Sequence, residues 1–434
     1  MTLPRTPAEA LEFFSRLSPS SIKLGLERVR ETLEALGHPE RRYPALHVAG
    51  TNGKGSTCAF ASAALHAAGY RVGLYTSPHL VRVNERIRVD GVEIEDEVFG
   101  QRILEVLERH PDAATSLTYF EFGTVVAFWH FAQEAVDVAV VEVGLGGRLD
   151  ATNACQPLVT AITSVSFDHM EYLGNTLGAI AGEKAGILKP GVPVVVSRQE
   201  PEALVAIERR AGEVGSPVLL EGREFSVVNR SEGNLAYEGP SFSLEGITLG
   251  LRGEHQRQNA AVALAALELL TQRGLSIPPE ALRTGVGTAR WPGRLEELGG
   301  QPPVLLDGAH NPAGVQVLLA GLRSLYPGRR VHCVFGVVAD KDRGPMLRAL
   351  LPSCTSVHLT PLDTPRSLPP ERYLDEARAL CAEVCTYPSL DDALAGARRR
   401  ATPDDVILCT GSLFLVGAAR ARLGGNLGAL HHSP

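Results

Sequence analysis

The stretch His47-Val-Ala-Gly-Thr-Asn-Gly-Lys-Gly-Ser-Thr57 decides the fold of the first part of this chain. The apolar run that ends at Ala49 suits a buried strand, and the Ala-rich segment after Thr57 suits a helix. The glycines between them permit backbone angles that side chains forbid, so that successive N–H groups can point at phosphate oxygens. Lys54 adds a positive charge, and a helix N-terminus favours an anion. The stretch therefore predicts a strand, a phosphate-binding loop (P-loop) and a helix in an α/β domain.

The spacing of this loop departs from the Walker A motif. That motif has a glycine six residues before the lysine and Ser or Thr directly after it. Val48 and Gly55 hold those two positions here. A glycine-rich turn without a ligand also fits a loose glycine pattern, but Thr-Asn-Gly-Lys-Gly-Ser directly after a strand favours phosphate binding.

Length and composition indicate a globular enzyme of about two or three domains. The chain has 434 residues, of which 44% are hydrophobic and 21% charged. Its net charge of −7 argues against a nonspecific nucleic-acid binder, which would carry a basic surface. No apolar run reaches the ~20 residues of a membrane span, and the first residues lack the apolar segment of a signal peptide. We therefore expect a cytoplasmic protein with seven free thiols and small-molecule partners, bound to neither nucleic acid nor membrane.

Strands alternate with helices along most of the chain, which predicts an α/β fold with mainly parallel sheets. Residues 217–252 change to short alternating runs, which indicate a small added antiparallel sheet. The alternation restarts after Gly299-Gly-Gln-Pro-Pro303, which we interpret as a linker. We therefore predict a P-loop domain at residues 1–298 and a smaller Rossmann-like α/β domain at residues 299–434. We expect central strands at 45–49, 71–75, 136–143 and 158–164, another strand at 192–197, and strands of a second sheet at 304–306, 331–338, 356–360 and 406–409.

Three further polar side chains lie where they could serve the phosphate loop. Glu142 ends an apolar run, which is a suitable place to hold Mg²⁺ near the phosphates, although a lone acid there is more often a solvated or capping group. His169 follows Asp168 after the next strand, yet Mg²⁺ prefers oxygen ligands. Lys184 lies in an apolar helical stretch, and taken alone it is most simply a solvated charge.

Short segments of distinctive sequence follow one another along nearly the whole chain. They are Leu24–Arg28, Gly50–Ser56, Tyr75–Leu80, Thr118–Thr124, Glu142–Asn153, Asp168–His169, Glu183–Gly186, His255–Asn259, Trp291–Glu296, Asp307–Pro312 and Gly411–Gly417. In sequence and order these eleven segments resemble the folylpolyglutamate synthase/dihydrofolate synthase family within the Mur ligase superfamily. The phosphate loop of that family also carries glycine after the lysine, so the departure from Walker A agrees with the resemblance.

The resemblance implies an ATP site, a metal site and an acceptor site. It assigns ATP to Asn52, Gly53, Lys54, Gly55, Ser56, Asn259, Arg294, Asp307 and His310. It assigns two Mg²⁺ ions to Ser77, Glu142, His169 and Lys184, with the lysine carbamylated so that it becomes a carboxylate-like anion. Its catalytic residues are Lys54, Lys184, His169 and Arg294. Its acceptor pocket is lined by Ile22, Lys23, Leu24, Gly25, Thr118, Tyr119, Phe120, Glu121, Leu149, Asp150 and Ala151.

The activity implied by the resemblance is an ATP-dependent amide ligation in folate biosynthesis and one-carbon metabolism. Glutamate is joined to dihydropteroate and to (poly)glutamyl folates through an acyl phosphate, with release of ADP and phosphate. The resemblance also implies a monomer, and it leaves open whether K⁺ assists.

Three alternatives remain open at this level. The enzyme could only extend folates, without adding the first glutamate to dihydropteroate. Another Mur-type ligase is possible, although a cell-wall ligase would carry a nucleotide-sugar domain and only 46 residues precede His47. A nucleotide-binding switch or inactive binding module would keep the phosphate loop without needing the metal and carbamate set.

Overall fold

The computed structural model describes residues 3–17, 23, 25–230 and 234–424. Within these residues the chain divides into two compact units. The first is drawn from Met1–His79, Val83–Gly250 and Gln256–Arg290, and the second from Leu80–Arg82, Leu251–His255 and Trp291–Pro434. Both units alternate strands and helices, which confirms the predicted α/β class.

The first unit is built on an eight-stranded sheet with the order β4-β3-β2-β5-β1-β6-β7-β8. Its strands are β1 (Ala45–Ala49), β2 (Val72–Tyr75), β3 (Ile87–Val89), β4 (Val92–Glu93), β5 (Val138–Glu142), β6 (Pro157–Ile162), β7 (Val194–Val196) and β8 (Val218–Leu220). The six strands β2, β5, β1, β6, β7 and β8, in their order across the sheet, run parallel to their neighbours. At the edge beyond β2, the strands β3 and β4 are paired antiparallel. Every residue of β1 is buried, and Val48 lies opposite Glu142 of β5 and Ala161 of β6. The carboxyl ends of these three strands therefore meet at one edge of the sheet.

Helices cover this sheet, and two of them have nearly all residues buried because they lie within the core. The helices of the first unit are α1 (Pro7–Arg16), α2 (Glu27–Ala35), α3 (Lys54–Ala67), α4 (Asp96–Arg109), α5 (Ala113–Ser116), α6 (Tyr119–Gln133), α7 (Met170–Leu173), α8 (Leu177–Ala185), α9 (Pro201–Val214), α10 (Gln256–Gln272) and α11 (Pro279–Thr288). The most buried are α6, an aromatic-rich helix against the core, and α10, an Ala/Leu-rich helix.

The small added sheet predicted within residues 217–252 is present. It contains β9 (Ser226–Asn229), β10 (Leu235–Glu238) and β11 (Ser243–Ile247), paired antiparallel in the order β11-β10-β9. The buried carboxylate of Glu268 in α10 accepts a hydrogen bond from the Tyr237 hydroxyl at 2.6 Å, which fixes the sheet to that helix. Strand β8 lies in the same stretch of sequence but joins the edge of the large parallel sheet instead.

The second unit contains a six-stranded sheet with the order β12-β13-β17-β14-β15-β16. Its strands are β12 (Glu296–Leu298), β13 (Val304–Leu306), β14 (Val331–Phe335), β15 (Ser356–Leu359), β16 (Val384–Thr386) and β17 (Val406–Thr410). Its helices are α12 (Pro312–Leu325), α13 (Arg343–Leu350), α14 (Leu374–Arg378), α15 (Leu390–Arg400) and α16 (Leu413–Leu423). All strand pairs except β12–β13 are parallel, as expected for a Rossmann-like sheet.

The boundary between the units differs from the one expected at residue 298. The structure places it after Arg290, because Glu296–Leu298 is the edge strand of the second sheet and Leu298 pairs with Val304. The segment Gly299–Pro303 is therefore the turn of a β-hairpin within the second unit. Glycine and proline mark hairpin turns as well as linkers, which explains the misreading.

Candidate active site

The phosphate loop joins β1 to α3, and its glycines are required by close packing. Gly50 has φ +148° and Gly53 has φ +89°, values that residues with side chains rarely adopt. A Cβ atom at Gly50 would lie 1.8 Å from Thr163 Oγ1, and one at Gly53 would lie 2.2 Å from Asn259 Oδ1. Both positions therefore exclude larger residues on grounds of space as well as conformation.

Residues after β6 hold this loop in place. The Thr51 N–H donates to the Ser164 carbonyl at 2.9 Å, and the Thr51 hydroxyl donates to the Ser166 carbonyl at 3.1 Å. The Asn52 amide donates to the Ser166 hydroxyl at 3.1 Å. Main chain and side chains of two adjacent strand ends thus fix the curvature of the loop.

Two lysines contact the main chain of the phosphate loop. Lys54 Nζ donates to the carbonyls of Gly50 at 3.1 Å and Thr51 at 3.2 Å, while Lys184 Nζ reaches the Gly50 carbonyl from α8 at 2.9 Å. Only 4% of Lys184 is exposed. Burial, together with the charge of Lys54, lowers the pKa of Lys184 to about 7. The lysine is therefore a buried group beside the loop rather than the solvated charge that its residue type alone would suggest.

The start of α10 also contacts the phosphate loop and the first turn of α3. Gln256 Nε2 donates to the Ser56 hydroxyl at 3.3 Å, and the Asn259 amide donates to Gln256 Oε1 at 2.9 Å. The Thr57 hydroxyl donates to the Asn259 carbonyl at 3.4 Å. Gln256 was not singled out from the sequence, although it lies within the distinctive segment His255–Asn259.

The predicted metal residues are placed in two groups. Glu142 ends β5 with 4% of its surface exposed, and its Oε2 accepts the Ser77 N–H at 2.9 Å. His169 is the N-cap residue before α7, with φ +50°, and its N–H donates to the Asp168 carboxylate at 3.0 Å. Among the described residues, no set of three or more His, Cys, Asp or Glu side chains is arranged to hold a metal ion. These side chains alone therefore do not complete a metal site.

The residues predicted for the acceptor pocket lie at the start of α6 and after β5, and Lys23 and Gly25 of this set lie before α2. Thr118 and Glu121 form a capping box, in which the Glu121 carboxylate accepts the Thr118 N–H at 2.8 Å. Arg28 binds the other Glu121 oxygen at 2.6 Å and the Lys23 carbonyl at 3.1 Å. Arg28 was missed as a site residue, although it ends the distinctive segment Leu24–Arg28. Ile22 and Leu24 lie outside the described residues.

The other members of this predicted pocket differ in exposure. Tyr119 is buried, with its ring centroid 4.6 Å from that of Phe14. The Phe120 ring packs against Gly144, where an added Cβ atom would lie 2.4 Å from the ring. Asp150 and Ala151 are also buried, whereas Leu149 is partly exposed. Phe120 and Leu149 are therefore partly exposed members of this group.

In the second unit Asp307 follows β13 and is held by main-chain donors. Its two oxygens accept the N–H groups of Leu295 at 3.0 Å and Ala309 at 2.9 Å. Burial raises the pKa of Asp307, and the charge of Arg294 opposes that shift. The carboxylate therefore fixes two loops of the same unit close to the arginine.

Arg294 and His310 both lie close to Gly308. A Cβ atom at Gly308 would be 2.2 Å from Arg294 Nη1, and His310 Nδ1 lies 2.7 Å from the Gly308 carbonyl. Burial and the charge of Arg294 lower the pKa of His255 to about 4. The structure thus brings the three predicted residues of this unit, Arg294, Asp307 and His310, together around one short loop.

None of the helices in the described ranges combines the length and the apolar character needed to cross a membrane.

Comparison with known proteins agrees with this geometry. Residues 48–267 match the Mur ligase middle domain, and residues 293–413 match the Mur ligase glutamate ligase domain. The dihydrofolate synthase/folylpolyglutamate synthase of Bacillus subtilis is 39% identical over 93% of this chain and 95% of its own length. The protein of the same name from Escherichia coli is 36% identical over 96% of both chains.

Solved structures give the same result. Mycobacterium tuberculosis folylpolyglutamate synthase complexed with ADP and AMPPCP superimposes with a TM-score of 0.89 at 34% identity, covering 96% of this chain and 98% of the other. Escherichia coli FolC in complex with DHPP and ADP gives a TM-score of 0.89 at 35% identity, covering 98% and 99%. The chain belongs to the dihydrofolate synthase/folylpolyglutamate synthase family of ATP-dependent Mur ligases.

Proposed function

We propose that this protein uses ATP to join L-glutamate to dihydropteroate and to (poly)glutamyl folates, with release of ADP and phosphate. The observation that supports this most directly is the register of β1 and β5, which pairs Val48 with Glu142. This register places the phosphate loop after β1 next to the buried carboxylate at the end of β5. The loop predicted to line the acceptor pocket follows β5 in the chain. The relatives from Bacillus subtilis and Escherichia coli carry both activities in their names.

The chemistry requires ATP because a carboxylate has a poor leaving group. The acceptor carboxylate attacks the γ-phosphorus of ATP, so that ADP leaves and an acyl phosphate forms. The neutral amine of glutamate then attacks the acyl carbon and loses its proton. The resulting tetrahedral intermediate breaks its carbon–oxygen bond to phosphate and yields the amide.

Negative charge develops on the transferring phosphoryl group, and fixed positive groups stabilise it. The phosphate loop supplies N–H groups, and Lys54 supplies an ammonium that can turn from the loop carbonyls to the phosphates. Asn259, Gln256 and Ser56 would shape the same end of the site. Arg294, Asp307 and His310 are proposed as further nucleotide contacts.

Glu142 and Ser77 fit a Mg²⁺ ion, because the ion takes one or two protein oxygens together with phosphate oxygens. Bound there, Mg²⁺ would supply positive charge next to the phosphates. His169 is the weaker candidate, since nitrogen is a poor ligand for this ion.

Carbamylation of Lys184 fits its surroundings. Only a neutral amine reacts with CO₂, and a pKa of about 7 leaves a large neutral fraction at neutral pH. The product is a buried anion beside Lys54, which replaces repulsion between two ammonium groups with attraction. We propose that this carbamate supplies oxygen ligands to the second Mg²⁺ ion.

The acceptor is proposed to bind above Phe120, between the capping box at Thr118 and the loop Leu149–Ala151. Arg28 would hold Glu121 in position there through its 2.6 Å ion pair. Both charged groups of this pair are largely withdrawn from solvent, so that a single change would leave the other group unpaired.

The test is ADP release with Mg²⁺-ATP and glutamate, measured in parallel with dihydropteroate and with a reduced folate. Turnover with both acceptors supports the proposal. Turnover with the folate alone leaves a chain-extending synthase, and turnover with neither directs attention to another Mur-type acceptor. The same assay with and without K⁺ tests its assistance, and sedimentation velocity tests the proposed monomer.

A further inference from the structure

A continuous line of hydrogen bonds joins the strand before the phosphate loop to the loop after β5. His47 Nε2 in β1 lies 2.9 Å from Thr152 Oγ1, and this hydroxyl contacts Asp150 Oδ1. Asp150 accepts the main-chain N–H groups of Leu145 at 2.8 Å and Thr152 at 3.0 Å. His47 and Thr152 are 0% exposed and Asp150 is 6% exposed, so that water does not compete for these bonds.

The number of available protons fixes the direction of these bonds. An ionised Asp150 only accepts, so the single hydroxyl proton of Thr152 goes to the carboxylate. His47 must therefore donate from Nε2 to Thr152. Its Nδ1 has no hydrogen-bond partner among the described residues, as fits the bare nitrogen of a neutral imidazole. Burial lowers the pKa of His47 to about 3, in agreement with a neutral ring.

A buried histidine needs a reason in this position. The other residues of β1 are apolar, and the unpartnered Nδ1 carries a desolvation cost that an apolar side chain would avoid. The single bond that the imidazole makes to Thr152 is the compensating interaction in the described structure.

The loop reached through Thr152 is also tied to the helix that carries Lys184. The Arg148 N–H donates to the Glu183 carbonyl at 2.8 Å. A Cβ atom at Gly147 would lie 2.8 Å from the Lys184 carbonyl, so the loop and the helix pack backbone against backbone. The position of the loop Gly144–Thr152 is thus fixed by its packing against α8 and by the hydrogen bonds among Asp150, Thr152 and His47.

We propose that His47 is a positioning residue for the ligase reaction, which acts through Thr152 and Asp150 to hold the loop Leu149–Ala151 in the shape that receives the acceptor. This inference rests on the proposed function. The His47 side chain is hydrogen-bonded to Thr152 of the acceptor loop, whereas the curvature of the phosphate loop depends on bonds of Thr51 and Asn52. Its loss should weaken acceptor binding and leave ATP binding largely unchanged.

The test compares variants that break this line of bonds with variants that keep it. His47→Leu and Thr152→Val remove the bonds, while His47→Gln and Thr152→Ser retain a donor and a hydroxyl. Thr160→Val is the matched control, because Thr160 is 0% exposed, lies opposite His47 in β6 and donates instead to the Pro193 carbonyl at 3.2 Å. Each variant is measured for the KM of dihydropteroate and of ATP, and for amide hydrogen exchange at Leu145 and Thr152.

The expected result is a rise of about tenfold in the KM of dihydropteroate for His47→Leu and Thr152→Val, which is about the effect of losing one intramolecular hydrogen bond. The KM of ATP stays within about twofold, exchange at Leu145 and Thr152 accelerates, and the conservative variants restore both readings. Equal rises in the two KM values, or unchanged exchange in both breaking variants, would overturn the proposal. If His47→Leu fails to fold, Thr152→Val carries the comparison alone, since it removes a single hydroxyl.

Hydrogen exchange distinguishes a failure of this proposal from a failure of the proposed function. If the unmodified enzyme turns over no folate acceptor, the function is wrong, whereas the exchange rates still report whether His47 orders the loop.

Discussion

Lys184 and Lys54 donate to the same main-chain oxygen, the carbonyl of Gly50, at 2.9 Å and 3.1 Å. Two ammonium groups that share one acceptor in a buried site repel each other, and this repulsion adds to burial in lowering the pKa of Lys184 to about 7. Converting one of them to a carbamate would remove this repulsion and place an anion next to the phosphate loop. The geometry therefore links the charge of Lys184 to stability, and we propose that it links the carbamate to catalysis as well.

Removing the Lys184 amine should abolish carbamate formation and most of the turnover. We expect kcat to fall by about 10²–10³ for Lys184→Met, the range observed when one electrostatic group of an active site is lost. Carbon NMR with isotopically labelled bicarbonate should show a carbamate signal that this variant lacks. Lys341→Met, a change in the second unit, is the control and should keep the signal. Persistence of the signal in Lys184→Met would assign the carbamate to another group.

The lowered pKa of Lys184 also predicts how stability depends on pH without CO₂. An unfolded lysine stays protonated to about pH 10.4, whereas the folded one releases its proton near pH 7. Between these values the unfolded chain binds more protons, so the free energy of unfolding rises with pH. Relative to Lys184→Met, the native protein should gain about 2 kcal/mol between about pH 7 and pH 9. Urea unfolding of both proteins in CO₂-free buffer measures this, and a difference independent of pH would contradict it.

The predictable parts of the fold are those whose physical signal is local. The strands β1, β5 and β6 are mainly apolar along their length, because both faces of a central parallel strand are buried. The edge strands β3 and β4 were not predicted, since they are short and half exposed and carry no such run. Residues 80–82 and 251–255 belong to the second unit although most of that unit begins only at Trp291. The local sequence of these two segments carries no pattern that indicates this assignment.

The candidate site follows the same rule. The phosphate loop could be predicted because its unusual backbone angles require glycine at particular positions, and those glycines are visible in the sequence. The roles of Arg28 and Gln256 could not, since each depends on a partner distant in sequence, Glu121 and Ser56 respectively. Asp150 was predicted to line the acceptor pocket, and the structure gives its carboxylate bonds to the loop's own main chain.

The space around Gly53 predicts a selective loss of nucleotide affinity. Gly53→Ala would force its Cβ against Asn259 Oδ1 and shift the start of α10 or the loop itself. Gly69→Ala is a close control, because Gly69 has φ +88° and a Cβ added there would meet nothing within 4 Å. Both variants should lose about 1–2 kcal/mol of stability from backbone strain. Only Gly53→Ala should raise the KM of ATP, by about tenfold or more, and equal KM values in the two variants would show that the clash is relieved without cost to binding.

Replacing Glu142 tests whether this buried carboxylate binds Mg²⁺ or only stabilises the fold. Glu142→Gln keeps the size of the side chain but removes the charge that we propose for Mg²⁺, so kcat should fall by about 10²-fold or more. The half-saturating Mg²⁺ concentration should rise, which a titration of activity against Mg²⁺ at saturating ATP measures. Stability should change little, because an amide oxygen can still accept the Ser77 N–H at 2.9 Å.

Glu268→Gln is the matched control for this experiment. Glu268 is 1% exposed and accepts the Tyr237 hydroxyl at 2.6 Å, so it is as buried and as firmly bonded as Glu142. Its bonds hold the small sheet to α10, and its replacement should lower the melting temperature while the Mg²⁺ dependence stays as in the native enzyme. If both variants shift the Mg²⁺ titration alike, the effect reflects general loosening of the first unit, and Glu142 is not a metal ligand.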